Sequence, residues 1–415
     1  MSGTSTASMA WRNLWRNRRR TLVTLSSIAF GVMLAVLFTG LGDTTYGDMI
    51  DLAARMGGGH VTLQHREYLE APSLKRTVTD AQALREIARQ HPQVTRTAAR
   101  VGGQTMLATA GNSYGAFFLA IDPAEEDAET LSVLEAVTEG ELFESSRGKG
   151  IVLGARLAEN LGAKLGRKVV YTMTDKDGEI VSGLARVKGI IETGSPSLDG
   201  GIALLPIDTV REFLGYGADE ATQVAVFIDD QRRAEGVAGR IGESVGYDVA
   251  AHPWFESQPE LASFIDMKVA GTTFFEIIIA IIVAAGIFNT LFVSVMERLR
   301  EFGIMMAIGF SPKRLFGLVM WESLWLALVG LVAAAALTAG PYYYLNTSGL
   351  DMTAMIGEGG SEVAGVAIEP VMKVGIFLEH AVAIAVAAVL ATLVSGLYPA
   401  WRAGRVVPVE SIKLV

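Results

Sequence analysis

The sequence predicts an α-helical membrane protein with four transmembrane helices in a 1+3 arrangement and a large extracytoplasmic α/β domain. Three observations carry this. Apolar runs occupy residues 21–41, 269–296, 315–345 and 374–398, and roughly 20 apolar residues in a helix cross ~30 Å of hydrocarbon. Between the first run and the other three lie 227 more polar residues, 42–268. Finally, the flanks 1–20, 297–314 and 399–415 hold 12 of the 35 Lys/Arg but only 3 of the 44 Asp/Glu. Short basic flanks resist translocation, so all three are expected on the cytoplasmic side, with both termini inside. Residues 42–268 and the loop 346–373 then face outward.

Composition agrees. Half of the residues are hydrophobic and 19% are charged, too apolar a balance for an ordinary soluble protein. The chain has no cysteine, so the outer domain must be stable through its core alone. That domain is acidic and the basic segments are short, which argues against nucleic-acid binding.

Arg12, Arg16 and Arg18 to Arg20 precede the first run, as in a signal peptide. The run itself is 21 uncharged residues with no A-x-A site after it, so an uncleaved anchor is expected. Trp11 and Trp15 suit an amphipathic cytoplasmic segment over 1–20 that lies at the interface. Past Leu41 the helical pattern continues to about Ala54 and breaks at Gly57–Gly59. His60 to Gln64 alternate as a strand. Thr79 is the expected N-cap of a helix over Asp80 to Gln90, with Ala83, Leu84, Ile87 and Ala88 as its apolar face. Val94 to Arg100, Gln104 to Ala110 and Tyr114 to Ile121 read as strands.

Residues 122–222 read as an insertion. It holds helices at Ala155 to Leu161 and Ile207 to Leu214, strands at Lys168 to Thr174, Ile180 to Val187 and Ile202 to Leu205, and a DKDG turn at Asp175 to Gly178. Strand Gln223 to Ile228 and helix Arg232 to Val245 return to the first part. Two outer subdomains follow: one split between 42–121 and 223–268, one inserted at 122–222.

Catalytic and metal motifs are scarce. The five histidines lack ligand spacing. Asp175 and Asp177 mimic a calcium loop, but Gly178 comes too early and the distal Glu is missing, so a hairpin turn is expected. No P-loop occurs: Gly148-Lys149 is followed by Gly150. No catalytic residue, metal or cofactor is assigned to this chain.

The loop 297–314 is more informative. Leu299, Phe302, Met305 and Met306 share one helical face, with Glu297, Arg298 and Arg300 largely off it. Gly309 and Pro312 end the segment. Such a helix either lies on lipid or docks a cytoplasmic partner through Phe302 and the methionines. Within the spans, Glu276, Glu322 and Glu379 are candidate functional carboxylates. All three lie within about two turns of an expected interface, where tilt and water access make a carboxylate cheap; the alternative is that Glu276 and Glu379 rim a shared lateral cavity, while Glu322 is expected to brace the inner helix. Met33, Leu37, Phe274 and Phe275 are candidate acyl-chain contacts.

The run ERLREFGIMMAIGFSPKRLFGLVMWES (297–323) resembles the coupling segment of type VII ABC transporter permeases. This superfamily includes the lipoprotein-releasing (Lol-type) permeases, MacB-type exporters and FtsX-like cell-division proteins. LYPAWRAGRVVPVESIK (397–413) resembles the characteristic ending of these proteins, and the 1+3 layout matches as well. The resemblance implies a multi-pass protein of the bacterial inner membrane, with "porter" and inserted "sabre" subdomains in the periplasm. It also implies a cytoplasmic ABC ATPase dimer as partner, which binds ATP and Mg, and a second permease subunit, identical or paralogous. Glu297, Arg298, Arg300, Glu301, Phe302, Gly303, Met305, Met306 and Gly309 would form the ATPase-coupling helix. The absence of an ATPase domain ahead of the first span departs from MacB-type exporters. The long 346–373 loop and the Gly58-Gly59-His60-Val61 segment look closer to the Lol-type pattern, which implies a lipoprotein cargo and a periplasmic carrier. The alternatives are an FtsX-like mechanotransmission regulator of a cell-wall hydrolase and a MacB-like exporter of peptides or small amphiphiles.

Overall fold

The computed structural model describes residues 3–356, 361–363, 365–368 and 370–405; the end of the expected tail, 406–415, lies outside the described residues. Two compact units form: a helical unit of residues 1–45, 267–351 and 371–415, and an α/β unit of residues 46–266 and 352–370.

Among the described residues, four helices are long and apolar enough to cross a membrane: Arg18–Met56, Pro259–Glu297, Pro312–Thr347 and Leu378–Ala403. The first two run well beyond the apolar stretches at 21–41 and 269–296. An α-helix satisfies its own backbone in water as in lipid, so the loss of hydrophobicity does not end it. The fourth starts at Leu378 rather than 374. Val374 to Phe377 are non-helical, and Gly375 and Phe377 donate their backbone N–H groups to the Gly40 carbonyl and the Asp43 carboxylate.

Within the helical unit, Leu25, Ile28, Ile287, Leu291 and Leu326 form one buried cluster. Ser395 donates to the Ala284 carbonyl at 3.1 Å, joining the second and fourth long helices by the polar contact that apolar surroundings favour. The N-terminal segment forms the helix Gly3–Leu14. It packs on the third long helix. Ala10 is fully buried, Trp11 sits edge-on to Trp325 at 5.2 Å, and Trp325 Nε1 donates to the Ala7 carbonyl at 3.1 Å.

The α/β unit is built on a ten-stranded sheet. Its strands are β1 (Val61–His65), β2 (Val94–Ala108), β3 (Ser113–Ile121), β4 (Val137–Gly140), β5 (Gly150–Gly154), β6 (Lys168–Thr174), β7 (Ile180–Ile191), β8 (Ile202–Pro206), β9 (Gln223–Ile228) and β10 (Val249–Pro253). Their order is β10-β1-β9-β2-β3-β8-β5-β7-β4, with β6 pairing β2 and β7. The β3–β8 and β5–β7 pairs are parallel.

The expected strand pair within 94–110 is one 15-residue strand, β2. Gly102 and Gly103 do not break it; a Cβ on Gly103 would lie 2.7 Å from the Leu74 side chain, so the glycine serves close packing. The N-cap of Ala81–Arg89 is Asp80, not Thr79. Asp175 closes the 175–178 hairpin turn by accepting from Asp177 N and Glu179 N at 3.0 and 2.8 Å. After the first long helix the chain turns at Gly59, where φ is +76° and a Cβ would sit 2.7 Å from the Val226 backbone. Only glycine fits there.

Two cores flank β2. Val61, Leu84, Val224, Val226 and Val237 pack in one, and Val101, Phe118, Ile151, Leu157 and Leu205 in the other. The division between cores therefore falls inside β2, near Arg100, and β3 joins the segment that follows it. This moves the boundary from residue 122, because one long strand serves both cores. Arg100 is 0% exposed. Its Nε and Nη2 donate to Glu126 at 2.7 and 2.8 Å, Nη2 also to the Thr130 carbonyl at 2.7 Å, and Nη1 to the Gly57 carbonyl.

Arg100→Met strands the Glu126 charge in the interior and is expected to cost about 3–5 kcal/mol. Arg100→Met combined with Glu126→Leu is expected to regain the larger part. Urea-dependent protease resistance of the α/β unit in the full chain reads both; equal loss in the single and double variants contradicts the charge argument.

Candidate functional site: the inner-loop helix and the membrane cavity

The second long helix ends at Glu297, and after Arg298 the helix Leu299–Ala307 begins. Arg298 roots this helix in the bundle. Its Nη1 donates to both Glu322 oxygens at 3.0 Å and its Nε to Glu301 at 3.2 Å. The two partners of the Arg298–Glu322 pair are 12% and 11% exposed. Burial works against the Arg298 charge, but the Glu322 and Glu301 carboxylates outweigh it and hold the guanidinium above its ordinary value. Glu301 is pushed up by burial, and hydrogen bonds from Arg16 and Arg298 bring it below the usual carboxylate range. Asn13 also donates to Glu322, at 2.9 Å. Arg16 and Arg20 reach Glu301 and Glu297 at 2.6 and 2.7 Å. Asn13, Arg16 and Arg20 were not singled out in the sequence for this; a basic flank carries no mark of which acid it will meet.

The expected docking anchor faces inward. Phe302 is fully buried among Ala10, Val295, Leu315, Leu318 and Val319, and Met305 and Met306 pack partly against the same cluster. Gly303 is buried as well. The apolar stripe was legible at helical spacing, but the nearest apolar surface is the chain's own third and fourth long helices, and they take it. What remains outside is Arg300, Ile304 at 47% exposure and Ile308 at 72%. Gly309 then stops the helix with φ +100°. Phe310 N bonds to the Met305 carbonyl and Gly309 N to the Met306 carbonyl, the double bond of a Schellman ending.

Further along the bundle, an apolar cavity of about 520 Å³ lies between the first, second and fourth long helices. Val32, Phe38, Phe275, Val283, Ile384 and Ala388 contribute to its wall, with Glu276 as the one ionisable residue lining it. Thr39 Oγ1 donates to Glu276 Oε1 at 2.6 Å. Of the four candidate acyl contacts, Phe275 alone lines the cavity. Met33, Leu37 and Phe274 do not, because adjacent helical residues point about 100° apart. The stripe 28-31-32-35-38 faces the cavity on the first helix, and 272-275-276-279-283 on the second. Glu379 is not among the lining residues either; its neighbour His380 instead pairs with Asp43 at 2.8 Å, a link the sequence reading missed.

Four membrane-length helices, a helical loop rooted by a buried ion pair and a separate α/β unit together define a multi-span membrane protein. The chain belongs to the MacB-like periplasmic core domain family, which matches residues 21–244, and the FtsX-like permease C-terminal family matches residues 273–408. It is thus a member of the type VII ABC transporter permease superfamily. It is 25% identical to the macrolide export ATP-binding/permease protein MacB of Nitrobacter winogradskyi, over 98% of this chain and 60% of that one. It is 23% identical to the lipoprotein-releasing system transmembrane protein LolC of Xylella fastidiosa, over 63% of this chain and 64% of that one. The chain thus spans about three-fifths of the length of these curated relatives. A solved periplasmic region of MacB from Actinobacillus actinomycetemcomitans aligns with 50% of this chain and 94% of that one, at 13% identity and a TM-score of 0.35.

Glu322→Leu, which removes the buried partner of Arg298 and leaves it only the more exposed Glu301, is expected to cost about 3 kcal/mol. Arg16→Gln, which breaks an exposed pair, is expected to cost under about 1 kcal/mol. Thermal unfolding of the purified chain in detergent compares them, and equal effects would refute the ranking.

Proposed function

We propose that this chain is the permease of an inner-membrane ABC transporter that extracts lipoproteins for transfer to a periplasmic carrier. A cytoplasmic ATPase dimer, which binds the ATP and Mg, acts on the Leu299–Ala307 helix of each of two permease subunits. The basic flanks support placing this helix and both termini on the cytoplasmic side. The observation that carries the reading is the helix itself. It is anchored to the bundle by Arg298–Glu322 and Phe302, and it offers Arg300, Ile304 and Ile308 outward. A motion imposed on that tip reaches the second and third long helices without slack. ATP thereby biases a two-state equilibrium of the permease.

The cavity supports the cargo reading. An acyl chain matches its apolar wall, and its place among membrane-length helices suits a lipid-anchored substrate. Glu276 favours a second reading, export of an amphiphile whose cationic head pairs with that carboxylate. That reading accords with the macrolide-exporting relative.

Ile308→Asp is expected to weaken co-purification with the ATPase at least about tenfold, as loss of a central interface anchor does. Phe302→Ala is expected instead to lower bundle stability by about 3–5 kcal/mol. Undiminished co-purification of Ile308→Asp would defeat the docking assignment. For the cargo, the chain and its ATPase are reconstituted in liposomes holding a lipidated protein, with a soluble acceptor outside. ATP-dependent release is expected, together with a marked loss of release in Ala388→Trp, which fills the cavity. ATP turnover without release would overturn lipoprotein extraction, and loss of amphiphile transport in Glu276→Gln would favour the second reading.

A further inference from the structure

A second cavity, of about 250 Å³, lies where the N-terminal helix meets the first three long helices. Its chemistry is opposite to that of the apolar one. Arg16, Arg20 and Arg298 line it, against Glu297 and Glu322, and exposed Arg18 and Arg19 stand beside it in the chain. Glu301 also pairs with Arg16 and Arg298, so the three arginines at the cavity are balanced by three carboxylates, and the positive excess around it comes from Arg18 and Arg19. Arg20 meets Glu297 through Nη2 alone, and Arg16 meets Glu301 through Nη2 alone. Among the described residues, no acceptor is recorded for the other N–H groups of these two guanidinium ions, nor a partner for the Ser294 hydroxyl that also lines the space. The wall turned toward the bundle interior is apolar: Leu291 and Leu326 are 9% and 3% exposed and belong to the packed cluster of the spans.

A guanidinium fork matches the oxygens of a phosphate. Basic pockets between membrane helices, at the level of the leaflet surface, bind anionic headgroups. We infer that this cavity is a binding site for a phosphate ester, supplied by an anionic phospholipid headgroup or by a soluble glycerophosphate. Arg20 and Arg16 hold the phosphate oxygens, Ser294 donates to one of them, and Leu291 and Leu326 meet the glycerol end. Occupancy bridges the N-terminal helix to the root of the Leu299–Ala307 helix. The inference does not depend on the cargo.

Native mass spectrometry of the purified chain in neutral detergent, titrated with dioleoylphosphatidylglycerol or dioleoylphosphatidylcholine, tests it. One phosphatidylglycerol is expected to bind with clear preference. Arg20→Gln should weaken it about fivefold, the worth of one arginine near an anionic headgroup. Ser294→Leu, which leaves every charge in place and fills the cavity, should abolish the preference. Arg18→Gln, outside the cavity, should leave it intact. Competition by millimolar glycerol 3-phosphate assigns the soluble ester, and its failure to compete assigns the lipid. Equal binding of the two lipids without glycerol 3-phosphate binding, or Arg18→Gln as damaging as Arg20→Gln, would overturn the site.

Discussion

A carboxylate placed between membrane helices has to be compensated, and in this protein the compensation sets the geometry of the loop between the second and third long helices. Glu322 is 9% exposed on the third long helix, where an unpaired charge would be costly. Its countercharge is Arg298, the first residue beyond the second long helix. Because that guanidinium must reach Glu322, the chain cannot drift into solvent after Glu297. The Leu299–Ala307 helix therefore starts from a fixed point. Phe302, under the Arg298 guanidinium at 5.1 Å, and the Schellman ending at Gly309 fix the rest of it.

The α/β unit solves a related problem with the same chemistry. One strand, β2, has to leave one core and enter another, and the junction exposes backbone carbonyls at Gly57 and Thr130 to the interior. Arg100 satisfies both while its charge is balanced by Glu126. Hydrocarbon at that position would take from the Thr130 carbonyl its Arg100 donor and leave the Gly57 carbonyl to Gln223 Nε2 at 3.3 Å. A buried arginine at a seam between cores is thus as much a hydrogen-bond donor set as a charge.

The sequence carried the architecture well, for identifiable reasons. Span length and strand alternation are local signals, and the hairpin at Asp175–Gly178 follows from its own residues. What stayed illegible depended on partners distant in the chain. Helical spacing put Phe302, Met305 and Met306 on one face, but an apolar stripe looks the same whether lipid, another protein or its own bundle covers it. Phe274 and Phe275 are adjacent in sequence and differ by one helical step, which separates a cavity wall from an outer surface. Gly102–Gly103 read as a strand break because glycine usually marks one; here the approach of Leu74 explains it. Asn13, Arg16 and Arg20 find acids about 280 or more residues away, beyond any local rule.

On the proposed reading, in which a partner ATPase docks on this loop, the inward turn of Phe302 also changes what surface that partner meets. Had the aromatic and the methionines faced out, a partner could bind by hydrophobic burial alone, and the helix would need no anchor of its own. With Phe302 fully and the methionines partly taken up by the bundle, the outward face is narrow: Arg300, Ile304, Ala307, Ile308 and the turn at Gly309. Such a surface yields modest affinity, since little apolar area is left to bury. It is, however, backed by buried Phe302 and by the Arg298–Glu322 pair. A narrow, anchored tip transmits displacement better than it holds on, which suits a contact made and released in each cycle more than a permanent joint.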